Sequence, residues 1–243
     1  MELLGLALVA VTAFFGAFYG VMVGGGSLVT LPVLMFFLPP HVAIATNRFG
    51  VMFSSSSATV KYHKEGVFEW RAALPIAAAA MAGAFIGSNF LLALDEVILK
   101  KAVSILLILV AIFLFLKKDF GSNPAQRSKP MAYFLAFCVG VYAAMFGPPA
   151  GTFYLLILVM FFGFDLVHAA GTKSFLTVAS AVVAVAVFAY NGLIDYAFGI
   201  TFSVFGVLGG WLGARTAVAK GNQFLRLVFT AVTVVLAVSL LLQ

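Results

Sequence analysis

The sequence predicts an all-α integral membrane protein: a polytopic bundle of about eight transmembrane segments plus two short broken or re-entrant helices, arranged as two inverted repeats. Three observations carry this. Of 243 residues, 64% are hydrophobic and 9% charged, with a mean hydropathy of +1.16; soluble domains average roughly 45–50% apolar and about 25% charged residues. So much apolar surface requires lipid as its solvent. Apolar runs of roughly 20 residues, the length that crosses a bilayer, recur along the chain, and the glycine and proline punctuation of the first half returns in the second.

Spans are expected over Leu3–Val23, Val42–Tyr62, Ala72–Leu94, Val97–Leu116, Met131–Phe146, Ala169–Tyr190, Tyr196–Thr216 and Phe224–Leu241. The first lacks a basic flank, Glu2 being its only early charge, and is too long for a signal-peptide core, so it reads as a retained helix. Two apolar pieces, Ser27–Leu38 and Gly151–Phe162, are too short for an ordinary crossing. The polar stretch KKDFGSNPAQRSKP divides the chain into a first repeat (1–116), a cytoplasmic linker (117–130) and a second repeat (131–243).

Laying the halves over each other puts Gly16–Ser27 on Gly140–Gly151, Thr46-Asn47-Arg48 on Gly171-Thr172-Lys173, Gly66 on Gly192, and Gly83/Gly87 on Gly209/Gly213. Lys and Arg concentrate in cytoplasmic loops. The loop with Lys61, Lys64 and Arg71 is basic, whereas Asn191–Asp195 has neither Lys nor Arg; the loop at Asp95 and Glu96 is acidic, whereas its counterpart carries Arg215, Lys220 and Arg226. Equivalent loops thus fall on opposite faces, which makes the repeats inverted and places both termini outside.

The stretch GVMVGGGSLVTLP sets three glycines in a row inside an apolar run, although glycine costs a helix about 1 kcal/mol relative to alanine and proline about 3. In lipid, non-helical backbone survives only where it is buried in protein or lines a cavity. Short Gly/Pro-interrupted segments at matching places in inverted repeats point to a transport site. Gly24, Gly25 and Gly26, and the run from Gly147 to Gly151, are therefore expected as midplane helix breaks. The short helices after them aim free N–H groups and a positive dipole end at the centre, an arrangement suited to an anion. Ser27 and Thr152 are the expected caps and hydroxyl donors. Arg48 and Lys173 lie inside predicted spans, next to Asn47 and Thr172. A cation at such depth is a functional candidate, against the alternative of snorkelling to the interface. The expected pocket combines attraction from Arg48 and Lys173, hydrogen bonds from Asn47 and Thr172, and backbone contacts over Gly24–Ser27 and Gly147–Thr152.

Other features read more simply. Ser54–Ser57 and the Gly83/Gly87 and Gly209/Gly213 pairs allow close helix packing, with a polar pathway as the second reading of the serines. Cys138 is a small apolar filler. His41, His63 and His168 lie near helix ends. The sequence has no GxxxxGK[ST] phosphate loop, HExxH motif or Cys/His cluster, and its mapped carboxylates fall in loops or at helix ends. No catalytic residue, metal or cofactor is expected.

At these same residues the chain resembles the sulfite exporter TauE/SafE family of permeases. The resemblance rests on GAFYGVMVGGGSLVTLPVL, IATNRFG, GVYAAMFGPPAGTF and GTKSF, and extends over essentially the whole chain. Gly24–Gly26 and Pro32 match the family's first glycine run, with Val23 replacing one glycine. Gly140, Tyr142, Gly147, Pro148, Gly151 and Phe153 fit its second pattern, and Ala143, Ala144 and Pro149 depart from it; the acid of that pattern is absent at Ala143. The resemblance implies transport of small sulfur-containing anions such as sulfite, sulfoacetate or other organosulfonates.

The expected function is alternating-access transport of such an anion across the cell membrane, with H⁺ or Na⁺ as a candidate coupling ion, a homodimer as a candidate assembly and no nucleic-acid partner. A passive anion channel and a carrier of another small anion, such as a carboxylate, are the alternatives. A membrane assembly protein without substrate has no reason to keep two interior cations, and an intramembrane enzyme lacks a catalytic set.

Overall fold

The computed structural model describes residues 2–95 and 129–241, with side chains over 3–95 and 129–228. The helices are α1 (Glu2–Val23), α2 (Ser27–Met35), α3 (Pro40–Lys64), α4 (Trp70–Leu92), α5 (Lys129–Phe146), α6 (Ala150–Phe162), α7 (Leu166–Tyr190) and α8 (Tyr196–Leu241). The expected span Val97–Leu116 and linker residues 117–128 lie outside the described residues. Lys129 and Pro130, at the end of the expected linker, lie in α5. Helix α8 covers two expected spans and is interrupted at Gly221, whose φ of 73° leaves the helical region.

Among the described residues five stretches are long and apolar enough to cross a membrane: Leu3–Val23, Trp70–Leu92, Lys129–Phe146, Leu166–Tyr190 and Tyr196–Val228. The protein is a multi-pass membrane protein. The expected crossings are not all of one kind. Helix α3 has 25 residues, but Asn47, Arg48, four serines, Lys61 and Lys64 dilute its hydropathy. Helices α2 and α6, of 9 and 13 residues, are shorter than a crossing. Helix α2 runs back along α1: Gly26 packs on Gly16 and Gly20, and the Phe37 ring packs at Gly5.

Helices α3 and α7 end alike. Gly66 and Gly192 take φ of 72° and 67°, and the N–H of the next residue reaches back to the third-last helical carbonyl, Val67 to Tyr62 at 3.1 Å and Leu193 to Phe188 at 3.0 Å. This is the Schellman arrangement that glycine permits. Their starts differ. Pro39 precedes α3 without a side-chain cap, whereas Asp165 accepts from the N–H groups of Val167 at 2.9 Å and His168 at 3.0 Å. Partial burial alone would raise the Asp165 carboxyl. The N–H groups and the His168 ring, 2.7 Å away, outweigh it and hold the carboxyl below its ordinary value.

Glycine seams decide which helices pack most closely. A Cβ on Gly83 or Gly87 of α4 would fall on the Phe137 or Val141 carbonyl of α5. A Cβ on Gly209 or Gly213 of α8 would fall on the Phe14 or Phe18 carbonyl of α1, and one on Gly210 on the Ser54 carbonyl of α3. Backbones this close are the reason for small residues at membrane helix contacts. The seams join α8 to α1 and α3, and α4 to α5, so helices from the two ends of the chain interlock.

Candidate functional site

The two breaks meet at the centre of the bundle. Gly24 and Gly25 take φ of 90° and 80°, and Gly147 takes 90°, torsions that side chains oppose by roughly 1–2 kcal/mol per residue. The Gly24 N–H bonds the Gly20 carbonyl at 2.8 Å and the Gly147 N–H bonds that of Ala143 at 3.0 Å, closing α1 and α5. The turns then leave donors over: the N–H groups of Gly25, Gly26, Ser27 and Gly151 find no acceptor among the described residues. The caps differ from expectation. Gly26 precedes α2 and Pro149 precedes α6, neither with a side-chain hydrogen bond. The hydroxyl of Thr152 donates to the Val23 carbonyl at 3.1 Å, so it pins α6 to the tip of α1 and caps nothing.

A cavity of about 50 Å³ lies between the breaks. Of the residues singled out from the sequence, Gly24, Gly25, Gly26, Ser27, Arg48, Gly147, Gly151 and Lys173 line it. Asn47, Thr152 and Thr172 are buried but are not among the lining residues. Asn47 donates to the Thr30 hydroxyl at 2.6 Å, holding α2 to α3. The Thr172 hydroxyl accepts from the Glu69 N–H at 3.3 Å, and the Thr46 hydroxyl accepts in the same way from the Asp195 N–H at 3.0 Å. These threonines join the middle of the bundle to the loops at its two ends.

Arg48 and Lys173 are each 3% exposed, which removes the snorkelling alternative. Among the described residues neither pairs with a carboxylate, and no Asp or Glu lines the cavity. Arg48 Nη2 donates to the Gly147 carbonyl over a long 3.4 Å, and its Nε has no partner among the described residues. Lys173 Nζ donates to the Gly20 carbonyl. The two cations are not at matched positions, as the sequence overlay had them. Counted from the first residues of α3 and α7, Lys173 corresponds to Asn47, and Ser174 to Arg48. An alignment one residue off places them side by side because their flanking threonines differ in spacing.

The cavity also holds Gly16, Gly20, Val51, Ser54, Ser55, Thr177 and Phe202. The second reading of the serine run, a polar lining, thus holds for Ser54 and Ser55, while Ser57 bonds the Val207 carbonyl of α8 at 3.0 Å. Thr177 had a signal in the sequence, since it stands one helical turn after Lys173 and shares its face. Phe202 had none; its ring fits where Gly50 and Gly206 leave room. Among the described residues no group of three or more His, Cys, Asp or Glu side chains could hold a metal ion.

Comparison with known proteins agrees over nearly the full length. The chain is 31% identical over 240 residues to a probable membrane transporter protein, ORF9, of Sinorhizobium, covering 97% of this chain and 92% of that one. It is 29% identical over 233 residues to the probable membrane transporter protein YfcA of Escherichia coli K12, covering 94% and 87%. Against the probable membrane transporter protein YdhB of Bacillus subtilis the identity is 24% over 198 residues, with 79% and 81% covered. No solved structure matches the chain. The profile of the sulfite exporter TauE/SafE family matches residues 8–240, and the chain belongs to that family.

Proposed function

We propose that the protein is a secondary transporter that carries a small anion across the cell membrane by alternating access, with a sulfur oxyanion such as sulfite or an organosulfonate as its cargo. The observation that carries this reading is the pair of buried cations in one carboxylate-free cavity. Removing a single charge from water costs several kcal/mol even after relaxation. With no carboxylate among the described residues to balance Arg48 and Lys173, the cargo supplies the negative charge. The unbonded N–H groups of Gly25, Gly26, Ser27 and Gly151 add the donors that oxyanions accept at helix starts. A water needs about 10–15 Å³ of such space, so about 50 Å³ suits a small oxyanion with few waters. The names of the similar proteins and of the family support both transport and sulfur cargo.

The scaffold for this cycle is a pair of inverted repeats, 1–116 and 131–243. The like ends of α3 and α7, the two φ 90° glycines, and the reciprocal bonds of Thr46 to Asp195 and Thr172 to Glu69 support it. The membrane potential, worth roughly 2.3 kcal/mol per charge per 100 mV, drives anions outward without a carboxylate relay.

The test is a thermal-shift panel on purified protein with sulfite, thiosulfate, sulfoacetate, acetate and chloride. An anion at about 100 times its dissociation constant stabilises by roughly 2.7 kcal/mol. Stabilisation by a sulfur anion that is lost in Arg48→Gln establishes the site and its cargo class. Stabilisation by acetate alone moves the cargo to carboxylates, unitary currents in a bilayer replace the carrier with a channel, and a flat panel removes the pocket.

A further inference from the structure

The glycine seams sort the helices into two packed groups that differ from the halves of the chain. Helix α8 is seamed to α1 and α3, and α2 folds back on α1; α4 is seamed to α5, with α6 and α7 packed beside them in a shared apolar core, while α7 also packs on the first group, where Gly171 meets Tyr62 and the Val67 carbonyl. The cations cross between these groups in opposite senses. Arg48, on α3, donates to the Gly147 carbonyl at the end of α5. Lys173, on α7, donates to the Gly20 carbonyl near the end of α1. Each cation therefore sits at the negative end of a broken helix that belongs to the other group.

From this geometry we infer that Arg48 and Lys173 tie the two groups together, that cargo releases the ties by taking over the cations, and that the protein is consequently an obligatory anion exchanger. The inference rests on the anion-transport reading. It adds that the protein returns across the membrane only when it carries another anion.

Two physical features support it. Carbonyls are partial charges and an oxyanion is a full one, so charge-assisted bonds to the cargo displace the carbonyl bonds, most readily the long Arg48 bond. When the site closes to both sides, two cations lose water together. With an anion between them this charge is balanced, and without one it is not, because no carboxylate among the described residues lines the cavity. Passage through the closed form is thus open to the loaded protein and barred to the unloaded one. A rearrangement follows a ligand only to the extent that the ligand binds the two forms differently, and here the difference is the balance of charge.

The experiment uses the full chain in proteoliposomes and whichever anion of the thermal panel stabilises it, isotopically labelled outside. Uptake into vesicles loaded with the same unlabelled anion is compared with uptake into vesicles loaded with gluconate. Exchange predicts initial uptake at least about tenfold faster into the anion-loaded vesicles, a barrier difference of about 1.4 kcal/mol or more. Lys173→Arg, which keeps the charge, retains that dependence. In Lys173→Met, which loses both the charge and the tie to Gly20, uptake is slower into both kinds of vesicle but the ratio between them falls toward one; a ratio that stays at about tenfold overturns the role of the tie. Equal uptake into both kinds of vesicle by the unaltered protein overturns exchange and leaves anion transport standing. An anion panel with no stabilisation removes both.

Discussion

The two breaks that meet at the cavity solve one backbone problem in different surroundings. The first is built from three glycines and the second from one glycine and two prolines, yet Gly24 and Gly147 share a φ of 90°. A Cβ on Gly24 would run into the Thr152 backbone and hydroxyl. At Gly147 the nearest atoms to a Cβ are Arg48 Nη2 at 3.9 Å and Asn47 Oδ1 at 4.0 Å. Glycine is needed for torsion and space at the first break, and for torsion alone at the second. The α1 break is thus both a contact between backbones and a wall of the cavity, and Gly147 of the α5 break is a wall of the cavity alone.

The sharpest way to break this distinction is to add one methyl group at each. Gly24→Ala meets both the torsional penalty of about 1–2 kcal/mol and an overpacking cost of about 1–3 kcal/mol. Gly147→Ala meets only the first. The thermal unfolding midpoint in detergent should fall clearly further for Gly24→Ala. Equal midpoints would show that the contact with Thr152 yields, and that torsion alone sets the requirement.

The next largest effect separates the cations that face the two breaks. Losing a hydrogen bond from a charged donor costs about 1.5–3 kcal/mol, so Arg48→Gln should weaken anion binding by roughly 10- to 150-fold, read from titrations of thermal stability. Without anion the sign reverses. A buried ion lacking a counter-ion destabilises the fold, and an apolar side chain of similar volume relieves that cost. Arg48→Met should therefore melt no lower than the unaltered protein in anion-free buffer. Lys173→Met should gain less, because it also loses the bond to the Gly20 carbonyl. A steep loss of stability in both variants without anion would mean that the carbonyls already compensate the charges.

These contrasts show what could be read from residues alone. Gly24–Gly26, Gly147 and the two cations were legible because each is costly in a membrane helix, so each demands a reason. The partners of Asn47, Thr152 and Thr172 were not legible. A buried hydroxyl or amide serves a ligand and a neighbouring helix equally well, and only the packing shows that Thr30, Val23 and Glu69 engage them. The exchange of α4 and α8 between the halves was hidden for a related reason. The small residues at Gly83/Gly87 and Gly209/Gly213 announce close approach, but they carry no label for the helix that approaches.

The smallest expected effect lies where α3 and α7 begin. Helix α7 has the Asp165 cap and α3 has none, so Asp165→Ala should bring the second start down to the level of the first. Loss of such a cap costs about 0.5–2 kcal/mol, and the lower end applies because the carboxyl is 45% exposed. The bonds from Val167, His168 and the His168 ring hold the folded carboxyl below its ordinary value of 3.8. Its ionised form is therefore favoured by folding. The contribution is fully present above about pH 4 and fades as the pH falls through the depressed folded value. The midpoint difference between unaltered protein and Asp165→Ala should be present at about pH 5 and narrow below about pH 4. A difference that persists undiminished in acid would mean that the side chain stabilises α7 through packing or neutral hydrogen bonds, and that the ionised cap contributes nothing of its own.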